Sequence, residues 1–177
     1  MAKSRYSIGY FILLVIFLSF SQKGLSQKED LSDRIPKSTK LIYILDSIQI
    51  ATDQIAKLIP TDIASVFIVK GNKATTLLGA KAKDGIVYIE TKKFARKRYW
   101  NYFKSKSDNY AKVLPNPEKD NLIQYILNGR ILKKDYEGEL SSISDVNFKK
   151  IEILPKDSLL KRYGIYRKHY GIEILTK

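Results

Sequence analysis

The feature that most constrains what this chain can fold into is a repeat, because Leu41–Lys92 recurs in looser form at Leu122–Lys177. The first copy reads YILDSIQI (43–50), then IPTDIASVFIVKG (59–71), then LLGAKAKDGIVYIETK (77–92). The second reads YILNGRIL (125–132), then ISDVNFKKIEILPKD (143–157), then RYGIYRKHYGIEILTK (162–177). Gly79 and Gly164 stand 85 positions apart, as do Val66 and Ile151, and Thr91 and Thr176, with an expected one-residue slip where Gly85 matches Gly171. A fixed period means that one supersecondary unit has been used twice. The expected fold class is α+β. Each repeat should hold a β-hairpin, a short helix and two further strands with a second short helix between them, forming small mixed sheets.

The turns carry this reading. Asp46-Ser47 interrupts the apolar run of the first copy, and Asn128-Gly129 interrupts the second between YIL and RIL. Asn-Gly is the pair that best tolerates the positive φ angles of a two-residue type I′ turn, so each break predicts a hairpin. Pro60, followed by Thr61 and Asp62, opens a short helical turn in the first copy. VFIVK (66–70) and KIEIL (150–154) are β-branched and apolar, as strands should be. Asn72 and Asp157 then stand where short helices want N-caps, Gly79 and Gly164 where they should end, and Gly85 and Gly171 where the last strands begin.

Outside the repeats, Lys3 and Arg5 precede the uncharged run Ile8–Phe20, and Gly24-Leu25-Ser26 gives a small-x-small exit, so residues 1–26 read as a secretory leader. A retained anchor is the alternative, disfavoured because a spanning helix needs about 20 apolar residues. Residues 27–40 are a polar lead-in, and 93–121 connect the repeats. With no cysteine there is neither a disulfide framework nor a thiolate metal site. The formal charge of +14 favours acidic partners. Export turns that preference from intracellular nucleic acid to envelope polymers, lipid headgroups or an acidic protein, with the periplasm as the expected location and the outer membrane as a candidate attachment.

The connector is the most conspicuous candidate contact surface. Phe94, Tyr99, Trp100, Tyr102 and Phe103 alternate there with Arg96, Lys97, Arg98, Lys104 and Lys106. Such a strip suits stacking and phosphate contacts on a single strand of nucleic acid. It also suits a membrane interface, where aromatic rings and long cationic side chains both settle. A third reading buries the rings of one helix face on a sheet and leaves the lysines in water. The partner-contact candidates are Lys81, Lys83, Arg96, Lys97, Arg98, Tyr99, Trp100 and Phe103. The turn residues Asp46, Asn128, Gly129, Gly79, Gly164, Gly85 and Gly171 are structural.

The first repeat resembles the plug domain of TonB-dependent outer-membrane receptors, in the form common in Bacteroidota. Pro60, Asp62, Ile63, Ser65, Val69, Lys70, Gly79, Gly85, Ile86, Ile89, Thr91 and Lys92 fall on the family's "Pro-x-Asp-Ile-x-Ser-Ile-x-Val-Leu-Lys" and "Gly-Val-Ile-x-Ile-x-Thr-Lys" segments. The second repeat follows them more loosely, and Ser47 replaces the glycine of the family's first turn. The resemblance implies a free-standing, duplicated plug-like module without a barrel, exported and non-catalytic, that binds an envelope protein or polymer. A peripheral membrane protein is the alternative class, and a single-stranded nucleic-acid binder a weaker one. An enzyme would have to be built on His169, the one histidine, in a basic tyrosine-rich loop. Carboxylates are scattered, metal ligands do not cluster, and no glycine-rich phosphate loop occurs, so neither cofactor nor metal is expected.

Overall fold

A computed structural model describes residues 41–177, which divide into two compact units at Lys92/Lys93. The leader and lead-in expected over 1–40 lie outside the described residues. No helix among the described residues is long and apolar enough to cross a membrane.

The first unit runs β1 (Ile42–Leu45), β2 (Ile48–Ile50), α1 (Thr52–Ile55), β3 (Ile63–Val69), α2 (Asn72–Leu78) and β4 (Ile86–Thr91). Its sheet order is β2-β1-β4-β3, with β1 parallel to β4 and the other neighbours antiparallel. The second unit holds α3 (Lys92–Lys106, starting one residue before the boundary), α4 (Asp108–Val113), β5 (Ile123–Leu127), β6 (Arg130–Ile131), α5 (Glu137–Ser141), β7 (Phe148–Pro155), α6 (Lys156–Tyr163) and β8 (Tyr170–Thr176). Its order is β6-β5-β8-β7, with the same pattern of parallel and antiparallel neighbours. The match extends to a defect. Register shifts between Ile63 and Ser65 in β3 and between Phe148 and Lys150 in β7, at residues 85 apart. Two small mixed α+β sheets of one topology are therefore present, as the repeat predicts.

One interaction closes both sheets. Asp46 and Asn128 sit at φ 49° and 50°, at the first turn position, with Ser47 and Gly129 at 76° and 79° behind them. From that position Asp46 accepts hydrogen bonds from the Thr91 backbone N–H and hydroxyl, both at 2.7 Å. Asn128 accepts from the Thr176 N–H at 2.9 Å and donates to its hydroxyl at 2.9 Å. The side chain of a turn thus holds the end of a strand 45 or 48 residues away. Each such bond contributes about 1 kcal/mol net.

The two glycines aligned as one position do different things. Gly171 pairs with Leu154 as Ile86 pairs with Val69, so the 85-residue spacing holds through the last strand and there is no slip. Gly85 lies just before its strand at φ 122°, where a Cβ would come 3.0 Å from the Val69 carbonyl oxygen. Gly171 is extended and lies under α6, where a Cβ would meet Leu159 Cδ1 at 2.7 Å.

Two helix starts also differ from expectation. The N-cap of α2 is Gly71 at φ 62°, and Asn72 is the first helical residue, because the positive φ turns the chain out of β3. α6 is capped by Pro155, with Asp157 one position inside. Gly79 and Gly164 do end their helices, with positive φ.

Strand alternation divides each core between two faces. In the first unit Leu41, Tyr43, Val87 and Ile89 pack with Ile55, Leu58, Ile63 and Val66 on one face. Ile42, Ile86 and Val69 meet Ala74, Ala82, Leu77 and Leu78 on the other. In the second unit Ile126 and Leu154 are covered by Leu159 of α6. The opposite face, Ile123, Tyr125, Leu127, Ile172 and Ile174, lies under Tyr99, Phe103, Tyr110 and Leu114. Residues 93–121, expected as a joint between repeats, therefore supply four of the twelve buried residues on this face of the second unit's core, Tyr99, Phe103, Tyr110 and Leu114.

Candidate functional site

The basic aromatic segment forms a helix with its contacts turned inward. Ala95, Tyr99 and Phe103 recur every four residues, one row on a helical surface, and all three are buried. Tyr99 stands edge-on to Tyr125 at 5.6 Å between ring centroids, and Phe103 to Tyr110 at 5.7 Å. Trp100 is half-buried and donates its indole N–H to the Leu114 carbonyl at 2.8 Å. Burying rings of this size stabilises a small unit by roughly 2–3 kcal/mol each.

The cations of this helix are also engaged. Arg96 lies 3.3 Å from Asp120 and 2.9 Å from Glu137, and Arg98 donates to the Ser141 carbonyl at 2.7 Å. Lys104 lies 4.8 Å from the centre of the Trp100 ring. Of the connector candidates, Tyr99 and Phe103 are core, Trp100, Arg96 and Arg98 serve the second unit internally, and Lys97 alone is exposed. Physically, a 15-residue helix beside a bare apolar sheet face stabilises the unit by covering it. Tyr99 and Phe103 are taken into that face, while Phe94, Trp100 and Tyr102 are half-buried. In the first unit Lys81 and Lys83 are exposed on either side of buried Ala82.

Beneath the helix is a polar cluster. Tyr99 donates to Asp120 at 3.4 Å, and the Tyr110 and Tyr125 hydroxyls lie 3.0 Å apart. Burial pushes the Tyr99, Tyr110 and Tyr125 hydroxyls far up, and that of Tyr136 up to about 12, so all four remain neutral at ordinary pH. Burial also raises the Asp120 carboxyl, against the pull of Arg96. Rings and charges mostly find internal partners here, although Arg96 Nε, Arg98 Nε and Glu137 Oε2 are buried without a hydrogen bond.

An exposed stretch lies in the loop between α6 and β8. The helix is held by Glu173, which is buried on β8. Its carboxylate accepts from Arg162 and from the Tyr163 hydroxyl, both at 2.6 Å. Gly164, in the left-handed conformation (φ 68°, ψ 19°), ends α6 and releases Ile165–His169. The loop is tied back where Lys168 donates to the Asn121 carbonyl and the His169 backbone N–H donates to that of Leu122 at 2.9 Å. Tyr166 is 61% exposed, with the Arg167 guanidinium 5.4 Å from its ring centre, and Tyr170 is also exposed. His169 and Tyr170, with Pro155, Lys156 and Asp157, line an open cleft of about 390 Å³.

The cleft offers cationic and aromatic groups for holding an anionic or sugar-like surface, and one carboxylate rather than the spaced pair that glycoside hydrolysis requires. Among the described residues no three His, Cys, Asp or Glu side chains gather as a metal site. The sequence shows this loop as basic and tyrosine-rich. Its rings Tyr166 and Tyr170 stay exposed while Tyr99 and Phe103 of the connector are buried, and that distinction depends on the fold. Comparison of the chain with protein-family models, curated proteins and solved structures returns no match.

Proposed function

We propose that this protein is an exported, non-catalytic binding protein built from two plug-like repeats, and that it holds an acidic envelope polymer or protein on the Lys156–Tyr170 face of the second repeat. The plug-like reading rests on the recurrent segments around Pro60–Lys70 and Gly85–Lys92, and the shared strand order of the two sheets supports the duplication. The observation that carries the binding assignment is the loop itself. Tyr166, Arg167, His169 and Tyr170 are exposed together on a tied-back loop beside Lys156, while the connector's aromatic residues are packed inside. A tied loop loses little conformational freedom on binding, and exposed tyrosines with nearby cations make amphipathic contacts at low entropic cost. Without the leader's Lys3, Arg5 and Lys23 the formal charge is 29 − 18 = +11, which adds long-range attraction to an acidic surface.

The test is cosedimentation of the purified protein with envelope fragments from the cells that make it, in moderate salt. Tyr166→Ala combined with Arg167→Ala is expected to lower retention about tenfold, since two contacts of this kind sum to about 1.4 kcal/mol. The pair Lys81→Ala and Lys83→Ala, in the first repeat, should leave retention within twofold. Equal retention of the loop variant and the unchanged protein would overturn the assignment.

A further inference from the structure

Asn128, in the turn of the second hairpin, alone among the seven asparagines of the chain is followed by glycine; the others precede lysine, tyrosine, proline, leucine or phenylalanine. Gly129 has no Cβ beside its backbone nitrogen, so that nitrogen can close on the neighbouring side-chain carbonyl. Both residues are exposed, so water reaches them and a small leaving group can depart. β6, which pairs with β5 across this turn, has two residues and lies at the sheet edge, so opening the turn disturbs little else.

The first repeat displays the acid form of the same turn. Asp46 stands where Asn128 does, at φ 49° against 50°, and its carboxylate accepts from the Thr91 N–H and hydroxyl, both at 2.7 Å. Asn128 makes the same two contacts with Thr176, both at 2.9 Å, but its Nδ2 donates to the hydroxyl. Putting a carboxylate oxygen in place of that Nδ2 asks only that the Thr176 hydroxyl turn round and donate, as the Thr91 hydroxyl already does.

We infer that Asn128 is a site of spontaneous deamidation, and that the second repeat accepts the resulting aspartate as the first repeat holds Asp46. When the turn opens and the bonds to Thr176 part, the Gly129 nitrogen, its proton taken by hydroxide, attacks Cγ of Asn128. The new C–N bond closes a five-membered imide, the Cγ–Nδ2 bond breaks, and Nδ2 takes a proton from water and leaves as ammonia. A second water opens the ring. Addition at Cγ breaks the bond just formed and leaves aspartate. Addition at the main-chain carbonyl leaves isoaspartate, whose backbone is longer by one carbon and no longer fits the turn. The site lies where β5 and β8 end, whereas Tyr170 begins β8, so the inference does not rest on what the Lys156–Tyr170 face holds.

Peptide mapping by mass spectrometry of the purified full chain, held folded in mildly alkaline buffer for several weeks, tests it. The peptide carrying Asn128 is expected to exchange an amide for an acid, as separable aspartate and isoaspartate forms, and the other asparagines to convert about tenfold less. Gly129→Ser installs the residue that the first repeat holds at φ 76°, and should slow conversion about tenfold with the turn kept. Thr176→Val removes the hydroxyl contact and should speed conversion about fivefold, the weight of one hydrogen bond in the opening equilibrium. Asn128→Asp should unfold at the same denaturant midpoint as the unchanged chain. No conversion at Asn128, or conversion spread evenly over the asparagines, would overturn the proposal. So would a rate unchanged by Gly129→Ser or by Thr176→Val, or an Asn128→Asp chain that unfolds at clearly lower denaturant.

Discussion

At the scale of single residues, the fold depends on a side chain at a turn reaching the end of a distant strand. Asp46 and Asn128 are suited to this because a short polar side chain tolerates positive φ and can bond to a nearby backbone. The residue behind each differs in quality. Gly129 occupies φ 79° without steric conflict, whereas Ser47 holds φ 76° with a Cβ. Replacing Ser47 by Gly should therefore stabilise the first repeat by about 0.5–1 kcal/mol, after allowing for glycine's greater freedom in the unfolded chain. Hydrogen exchange of the β4 amides would show it as slower opening. Unchanged or faster exchange would mean that the turn carries no strain. The turn pair is readable directly from sequence, since Asn-Gly between apolar runs has few other uses. Its partner is not, because nothing local to Thr91 or Thr176 points to a residue more than forty positions earlier.

Among the elements, α3 shows where sequence reasoning stops. Interleaved rings and cations fit three physical descriptions, of which packing is the commonest fate of such rings, and the four-residue spacing of Ala95, Tyr99 and Phe103 agrees with it. What decides between them is the β5–β8 face, whose Tyr125, Ile172 and Ile174 need cover that the repeated text does not itself supply. A boundary drawn from sequence symmetry marks where the copies stop resembling each other, and a core boundary follows the apolar surface. The same logic explains the loop after α6, whose rings are exposed because that end of the sheet is already covered by Leu159. The tyrosines under α3 give a pH signature. In the unfolded chain a tyrosine ionises near 10, whereas burial raises Tyr99, Tyr110, Tyr125 and Tyr136 well above that. Their contribution is fully present below about pH 10 and is lost as pH rises through the interval up to the folded values, at about 1.4 kcal/mol per pH unit for each group. Denaturant unfolding followed by Trp100 fluorescence should thus be nearly level from pH 7 to 9 and weaken steeply above 10. Tyr110→Phe should make the slope shallower. A level profile through pH 11 would mean that these hydroxyls are open to water.

For the whole molecule, the duplication was legible and its extent was not. Period, hairpins and the glycines that end the helices all follow from residues that recur 82 to 85 positions apart, whereas the strand order is visible only in the fold. The second copy, however, needs about thirty residues of non-repeated chain to complete its core. The loop after α6 carries the exposed rings of the second unit. The aromatic helix belongs to the second repeat's core. Thermal unfolding of two fragments tests it most directly. Residues 93–177 should unfold in one cooperative transition, with a near-ultraviolet aromatic signal lost at the same temperature, while residues 122–177 should show no such transition. A fragment 122–177 that folds as cooperatively as 93–177, or a fragment 93–177 without a transition, would contradict it.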